Sequence, residues 1–339
     1  MNLLDLLELP KLMMQLFQKP AVAQTPSELV YSEQKFKVYH YLPKTELSCP
    51  VPILIVNSLV NKYYILDLIP GKSYVEYLVS QGFSVYMIDW GAPEGSDSFL
   101  GLEDYINSFL GDIIKQVLRH AQAPKLSMIG YCMGGTMALI YAALHPKYLH
   151  NLILLATPVD FHNDSVLALW GQSNYFDVDK FLDVYGNAPK EILYSTFMML
   201  KPMKTLTQYL ALAENAQDPE YVKVFTAFDF WLKDIVSIPG ETFRQFVKYG
   251  YQQNLLVQNR FPLGHRIVDL KKINCPLLNV VADHDEIVPP KSSEILMNLI
   301  GSKDKELLRV KRDHHSLSIR LSAIKTVWPK TREWLLAHH

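Results

Sequence analysis

Three observations predict an α/β fold with a mostly parallel central sheet. Short apolar runs recur along the chain, amphipathic helical patterns separate them, and one run leads straight into a glycine-flanked cysteine. Strands buried on both faces read as continuous apolar runs rather than as alternating ones, which is the signature of a parallel sheet covered by helices on both sides. The 339 residues, 49% of them hydrophobic and 20% charged, can fill one large core with an insertion and exclude a disordered chain. A formal net charge of −1 argues against a dedicated nucleic-acid binder.

Taken in order, residues 1–27 form an N-terminal segment that is apolar at helical spacing (Leu3, Leu4, Leu7, Leu12, Met13, Leu16, Phe17). Pro10 and Pro20 limit it to two short helices. It lacks a basic start and carries Asp5 and Glu8, so it does not read as a signal peptide. It reads as helix packed on its own domain, or as a docking helix for a partner or a hydrophobic surface. Residues 28–163 hold the first part of the core, with strands at Ile53–Val56, Val85–Asp89, Leu126–Ile129 and Leu152–Ala156 and a helix at Tyr105–His120. Residues 164–262 show aromatic and helical character with no clear strand, and read as a cap over the carboxyl edge of the sheet, where open α/β sheets bind ligands. Strands return at Leu277–Ala282 and Leu307–Val310, making residues 263–339 the second part of the core. No run reaches the length of a membrane span.

The most informative stretch is Gly130-Tyr-Cys-Met-Gly, between an apolar strand and a helical pattern. This is the strand–turn–helix elbow of α/β-hydrolases, with cysteine at the nucleophile position. Its glycines permit a sharp turn that lifts Cys132 above the sheet. The Met133 amide then faces the place where an oxyanion would form, at a helix N-terminus that favours negative charge. Cys49 and Cys275 read as structural, and three widely spaced cysteines form neither a disulfide framework nor a metal pair, as expected in a reducing compartment. In this fold an acid and then a histidine follow the nucleophile. The strand at Leu277–Ala282 leads into Asp283-His-Asp285, and the next strand into Asp313-His314-His315. Spacing alone leaves Asp283 or Asp285, and His314 or His315, open. A metal site on Asp283, His284 and Asp285 lacks further ligands at suitable spacing, so no metal is expected.

Several separate motifs resemble one family. Gly130-Tyr-Cys-Met-Gly-Gly-Thr, Asn61-Lys-Tyr-Tyr-Ile-Leu-Asp-Leu, Val85-Tyr-Met-Ile-Asp-Trp-Gly, Thr157-Pro-Val-Asp-Phe, Gly240-Glu-Thr-Phe-Arg-Gln-Phe and Asp285-Glu-Ile-Val-Pro are similar to segments of polyhydroxyalkanoate synthase catalytic subunits. The similarity spans roughly residues 28–337 and is greatest to the short forms that work with an accessory subunit. The resemblance implies Asp285 as the acid, with Glu286 where the family usually has histidine, and His314 as the base, with Asp313 in place of the usual glycine. It implies polymerisation of (R)-3-hydroxyacyl-CoA, most naturally 3-hydroxybutyryl-CoA, through an acyl thioester on Cys132, with release of CoA. Asp285 would orient the imidazole or assist the attacking hydroxyl directly. Met133 and Val60 are the expected oxyanion-hole amides, the latter from the loop after the first parallel strand. CoA is then a substrate, and no cofactor is expected. The expected partners are the acyl-CoA, the growing polyester and its granule surface in the cytoplasm, and an accessory subunit, with a homodimer allowed for. The rival reading is a cysteine-dependent α/β-hydrolase, a thioesterase or polyester depolymerase that passes the acyl group to water. Chain-length preference and the CoA contacts are not readable from the sequence.

Overall fold

A computed structural model describes residues 18–339 apart from residue 321. Most of the helical segment expected over 1–27 lies outside the described residues, and residues 18–27 carry no helix. They instead lay Thr25 against the buried Asp67, whose Oδ1 accepts from the threonine hydroxyl, while the Ala23 amide donates to the Asp67 carbonyl at 2.9 Å.

The core is an eight-stranded sheet formed by β1 (Glu28–Glu33), β2 (Phe36–Tyr41), β3 (Ile53–Val56), β4 (Val85–Asp89), β5 (Leu126–Tyr131), β6 (Leu149–Leu155), β9 (Leu277–Ala282) and β10 (Lys305–Val310). Its order is β1-β2-β4-β3-β5-β6-β9-β10. The pairings β1–β2 and β2–β4 are antiparallel and all the others parallel. The β1–β2 hairpin was not foreseen: its strands, Glu-Leu-Val-Tyr-Ser-Glu and Phe-Lys-Val-Tyr-His-Tyr, mix polar and apolar residues. Charged and polar side chains along β1 suit the exposed edge of a sheet.

Side chains of the central strands alternate between two cores. Leu54 and Val56 of β3 join one, and Ile53 and Ile55 join the other. Against the first pack α2 (Leu110–His120) and α3 (Met133–Leu144); against the second pack α1 (Tyr74–Ser80) and α8 (Trp328–Ala337). Helix α2 brings Ile113, Ile114 and Val117 to the sheet, a spacing of one and three residues that keeps all three on one face. A π-helical stretch, Asp104–Phe109, runs into it in place of an uninterrupted helix from Tyr105.

Between β6 and β9 the chain leaves the sheet. Helices α4 (Val178–Tyr185), α5 (Lys190–Leu200), α6 (Pro202–Glu214) and α7 (Pro219–Lys233) lie here, with shorter helical pieces at Val166–Trp170 and Gly240–Gln245. A small hairpin of β7 (Phe261–Leu263) and β8 (Arg266–Val268) ends the excursion. The expected boundary at residue 262 therefore falls inside β7, a three-residue strand too short to leave an apolar run in the sequence. The cap is sewn to the loop after β3: the Val236 amide donates to the Val60 carbonyl at 2.9 Å, Asn61 bridges Ile235, and Trp231 Nε1 donates to the Lys62 carbonyl at 2.8 Å.

Candidate active site

Cys132 sits between the last residue of β5 and the first of α3, with φ 53° and ψ −128°. A side chain pays strain in that region of backbone space, and such strain persists only where packing holds it. Here it does. A Cβ added at Gly134 would lie 2.3 Å from the Val56 carbonyl oxygen, one at Gly130 2.4 Å from Gly135 Cα, and one at Gly135 1.9 Å from Thr157 Oγ1. The glycines let α3 press onto β3, β5 and the loop after β6, which forces the turn that projects the cysteine. Met133 is the first residue of α3, so no carbonyl of its own helix can take its amide.

The residues expected as acid and base arrive from the ends of β9 and β10. His314 Nδ1 lies 2.7 Å from Asp285 Oδ2, with both side chains almost completely buried. The other carboxylate oxygen, Oδ1, accepts from the amides of Ile287 (2.9 Å) and Val288 (2.8 Å), which locks the acid in place. His314 opens a short 3₁₀ turn capped by Asp313, whose carboxylate accepts from the Ser316 amide at 3.1 Å. Asp313 has φ −91°, an ordinary value, so nothing at that position requires glycine. The Cys132 side chain is close enough to the His314 ring to raise its proton affinity, and with Nδ1 engaged by Asp285, Nε2 is the nitrogen left to serve the sulfur. Burial disfavours charge on this imidazole, but the Asp285 carboxylate and the Cys132 sulfur outweigh it and push His314 up to about 10.

The alternatives left open by spacing make other contacts, although His315 lies beside His314, with ring centroids 5.2 Å apart. Asp283 is paired with Arg309 Nε at 2.8 Å. His315 turns to the cap, with its ring edge-on to Phe228 (5.5 Å between centroids) and Trp231 (5.4 Å). Glu286, beside the acid, pairs with Lys201 at the end of α5 at 3.0 Å.

A cavity of about 350 Å³ opens over the cysteine. Its walls include Cys132, Met133, Val60 and His314 from the core side and Phe197, Phe228, Trp231, Phe246 and Tyr251 from the cap side. Val60 stands where the oxyanion loop was expected, but its amide donates to Ser58 Oγ at 3.2 Å. An oxyanion would have to displace that hydroxyl. Sequence reasoning gave Ser58 no role of its own, and it expected the aromatic segment as a whole to keep water out while placing none of its residues in the site. A serine two residues before the expected amide carries no spacing signal, and aromatic residues in helices usually mean core.

Residues 52–319 match the family described as alpha/beta hydrolase fold, and residues 14–78 match the one described as poly-beta-hydroxybutyrate polymerase (PhaC) N-terminus. Among curated proteins, the chain is 38% identical over 318 residues to the poly(3-hydroxyalkanoate) polymerase subunit PhaC of Allochromatium vinosum, covering 92% of this chain and 88% of that protein. It is 38% identical to the protein of the same name from Haloferax mediterranei, covering 93% of this chain but only 64% of that longer protein. The identity to the Synechocystis sp. protein of that name is again 38%, over 80% of this chain and 74% of the other. Among solved structures, a thermophilic esterase from Thermogutta terrifontis superposes with a TM-score of 0.54 at 17% identity, over 95% of this chain and 100% of the esterase. A monoacylglycerol lipase from Paleococcus ferrophilus gives 0.53 at 17%, over 90% of this chain and 100% of the lipase. These two share the fold.

Proposed function

Because this chain belongs to the poly(3-hydroxyalkanoate) polymerase family, we propose that it joins (R)-3-hydroxyacyl units from their CoA thioesters into a polyester and releases CoA. The observation that carries this reading is a cysteine at the hydrolase elbow, paired with His314 and Asp285 under an apolar cavity. A thiolate that attacks a thioester exchanges one thioester for another. The acyl group therefore stays activated on Cys132, as chain growth requires.

In the first half-reaction the proton of Cys132 is already held on His314, and the sulfur attacks the acyl carbonyl. The oxyanion forms against the Met133 amide and the N-terminus of α3. The carbon–sulfur bond to CoA breaks, and the CoA sulfur takes the proton from His314. In the second half-reaction a hydroxyl, of the next unit or of the growing chain, gives its proton to His314 and attacks the Cys132 thioester. An ester forms and the thiol is restored.

Charge on Cys132 is one of the causes that hold a proton on His314. Acylation neutralises the sulfur, so the imidazole gives up its proton more readily at the moment CoA must leave, and is free to act as base for the hydroxyl. Asp285 has one oxygen on His314 and the other on two backbone amides. With both occupied and the side chain buried, it acts through the imidazole and does not touch the hydroxyl. The aromatic cap keeps water from the acyl-enzyme, which separates polymerisation from hydrolysis. In this reading the enzyme works at polyester granules in the cytoplasm with an accessory subunit, in keeping with the word "subunit" in the names of its relatives.

Purified protein, alone and with an accessory subunit, is incubated with 3-hydroxybutyryl-CoA. Insoluble polyester together with CoA release is expected, slow for the single chain and faster with the partner. Free 3-hydroxybutyrate without polymer under both conditions contradicts the assignment and makes the protein a thioesterase.

A further inference from the structure

Far from the cysteine in the sheet order, three side chains from separate elements converge: Glu28 of β1, His40 of β2 and His120 at the end of α2. We propose that they form a binding site for a first-row divalent cation, with zinc as the probe. Glu28 Oε1 lies 3.0 Å from His40 Nδ1 and 3.9 Å from His120 Nε2, and one ligand atom from each residue falls within 4.8 Å of the other two. Zinc bound to imidazole at roughly 2.0–2.1 Å sets tetrahedral ligand atoms roughly 3.3 Å apart, between the two distances to Glu28. Both Glu28 and His120 are substantially exposed and can close that gap, while the buried His40 fixes the position.

The second observation is what holds the rings. The nitrogen of each imidazole that faces away from Glu28 is already engaged: His40 Nε2 with Ser84 Oγ at 2.9 Å, and His120 Nδ1 with the Tyr86 hydroxyl at 2.8 Å. Tyr86 also stacks on His40, with ring centroids 4.2 Å apart and planes within 10°. Metal-binding histidines are oriented in this way, by a partner on the nitrogen that does not ligate. Two imidazoles and one carboxylate suit zinc, and leave a fourth position for water. An ion here would tie the edge strand β1 to the end of α2, four strands from the one that precedes Cys132, so it would serve the fold rather than the reaction.

The test is titration of the full chain with Zn²⁺ by calorimetry, with thermal unfolding followed in parallel, for the wild type, His120→Ala and Glu28→Gln. Both variants alter exposed side chains, so folding is expected to survive. The wild type should bind one more ion than either variant and gain a zinc-dependent rise in Tm that both lose. Tyr86→Phe should weaken binding by about 10–100-fold, through loss of ring orientation alone. Cobalt in place of zinc should give a tetrahedral visible spectrum without the sulfur-to-metal band that binding at Cys132 would add. Isotherms and Tm values that coincide for the wild type, His120→Ala and Glu28→Gln would overturn the site and leave a hydrogen-bonded cluster only.

Discussion

At Cys132 the proposed chemistry and the backbone strain meet in one residue. Replacing it with alanine is expected to abolish CoA release, by about a thousandfold or more, with little change in Tm; unchanged release would remove it from the reaction. Gly134→Ala tests the packing that holds the turn. Its Cβ would strike the Val56 carbonyl, so a loss of about 1–3 kcal/mol in urea unfolding is expected together with a fall in activity. His314 supplies a pH signature. Its proton affinity in the fold is raised from 6.5 to about 10, so its contribution to stability is fully present below about 6.5 and is lost as pH rises through about 10. Its imidazole resonances should stay those of the charged ring across neutral pH, and Asp285→Asn should bring their titration to lower pH; an unchanged midpoint in that variant would show that the carboxylate does not hold the proton there. Spacing could reach the pairs Asp283/Asp285 and His314/His315 but not choose within them. The choice turns on which way adjacent side chains point out of one loop, and Asp283 points to Arg309 while His315 points to the cap.

Among the elements, those legible in the sequence are the ones whose burial is uniform. Strands β3, β5 and β9 are buried at every position, and each left an unbroken or nearly unbroken apolar run. The β1–β2 hairpin left none, because it lies at an edge, mixes polar with apolar residues and turns at Gln34 with φ 50° rather than at a glycine. Glu28, His40 and His120 were equally hidden, since only the pairing of β1 with β2 and the packing of α2 bring them together. In the cap, Trp231 of α7 is buried, donates to the Lys62 carbonyl and meets His315 edge-on. Trp231→Ala should cost about 3–5 kcal/mol in chemical denaturation. It should also admit water to the acyl-enzyme, so that free hydroxy acid rises severalfold relative to polymer. An unaltered ratio of acid to polymer would mean that the cap does not guard the thioester.

The whole molecule sets a common hydrolase sheet to a purpose its usual members lack. The sheet brings Cys132, Asp285 and His314 to one edge from the ends of β5, β9 and β10, and the excursion between β6 and β9 closes an apolar chamber over them. A serine in that setting would make an oxygen ester, lower in energy than the thioester it came from; in the proposed reaction sulfur keeps the acyl group ready for the next hydroxyl. The most direct measurement is mass spectrometry of the peptide carrying Cys132 after the enzyme has been quenched in acid during turnover of 3-hydroxybutyryl-CoA. A hydroxybutyryl or oligomeric adduct on that sulfur, removed by neutral hydroxylamine, is the expected result. Polymer formation with position 132 unmodified, or with the acyl chain carried on another residue, would contradict the account.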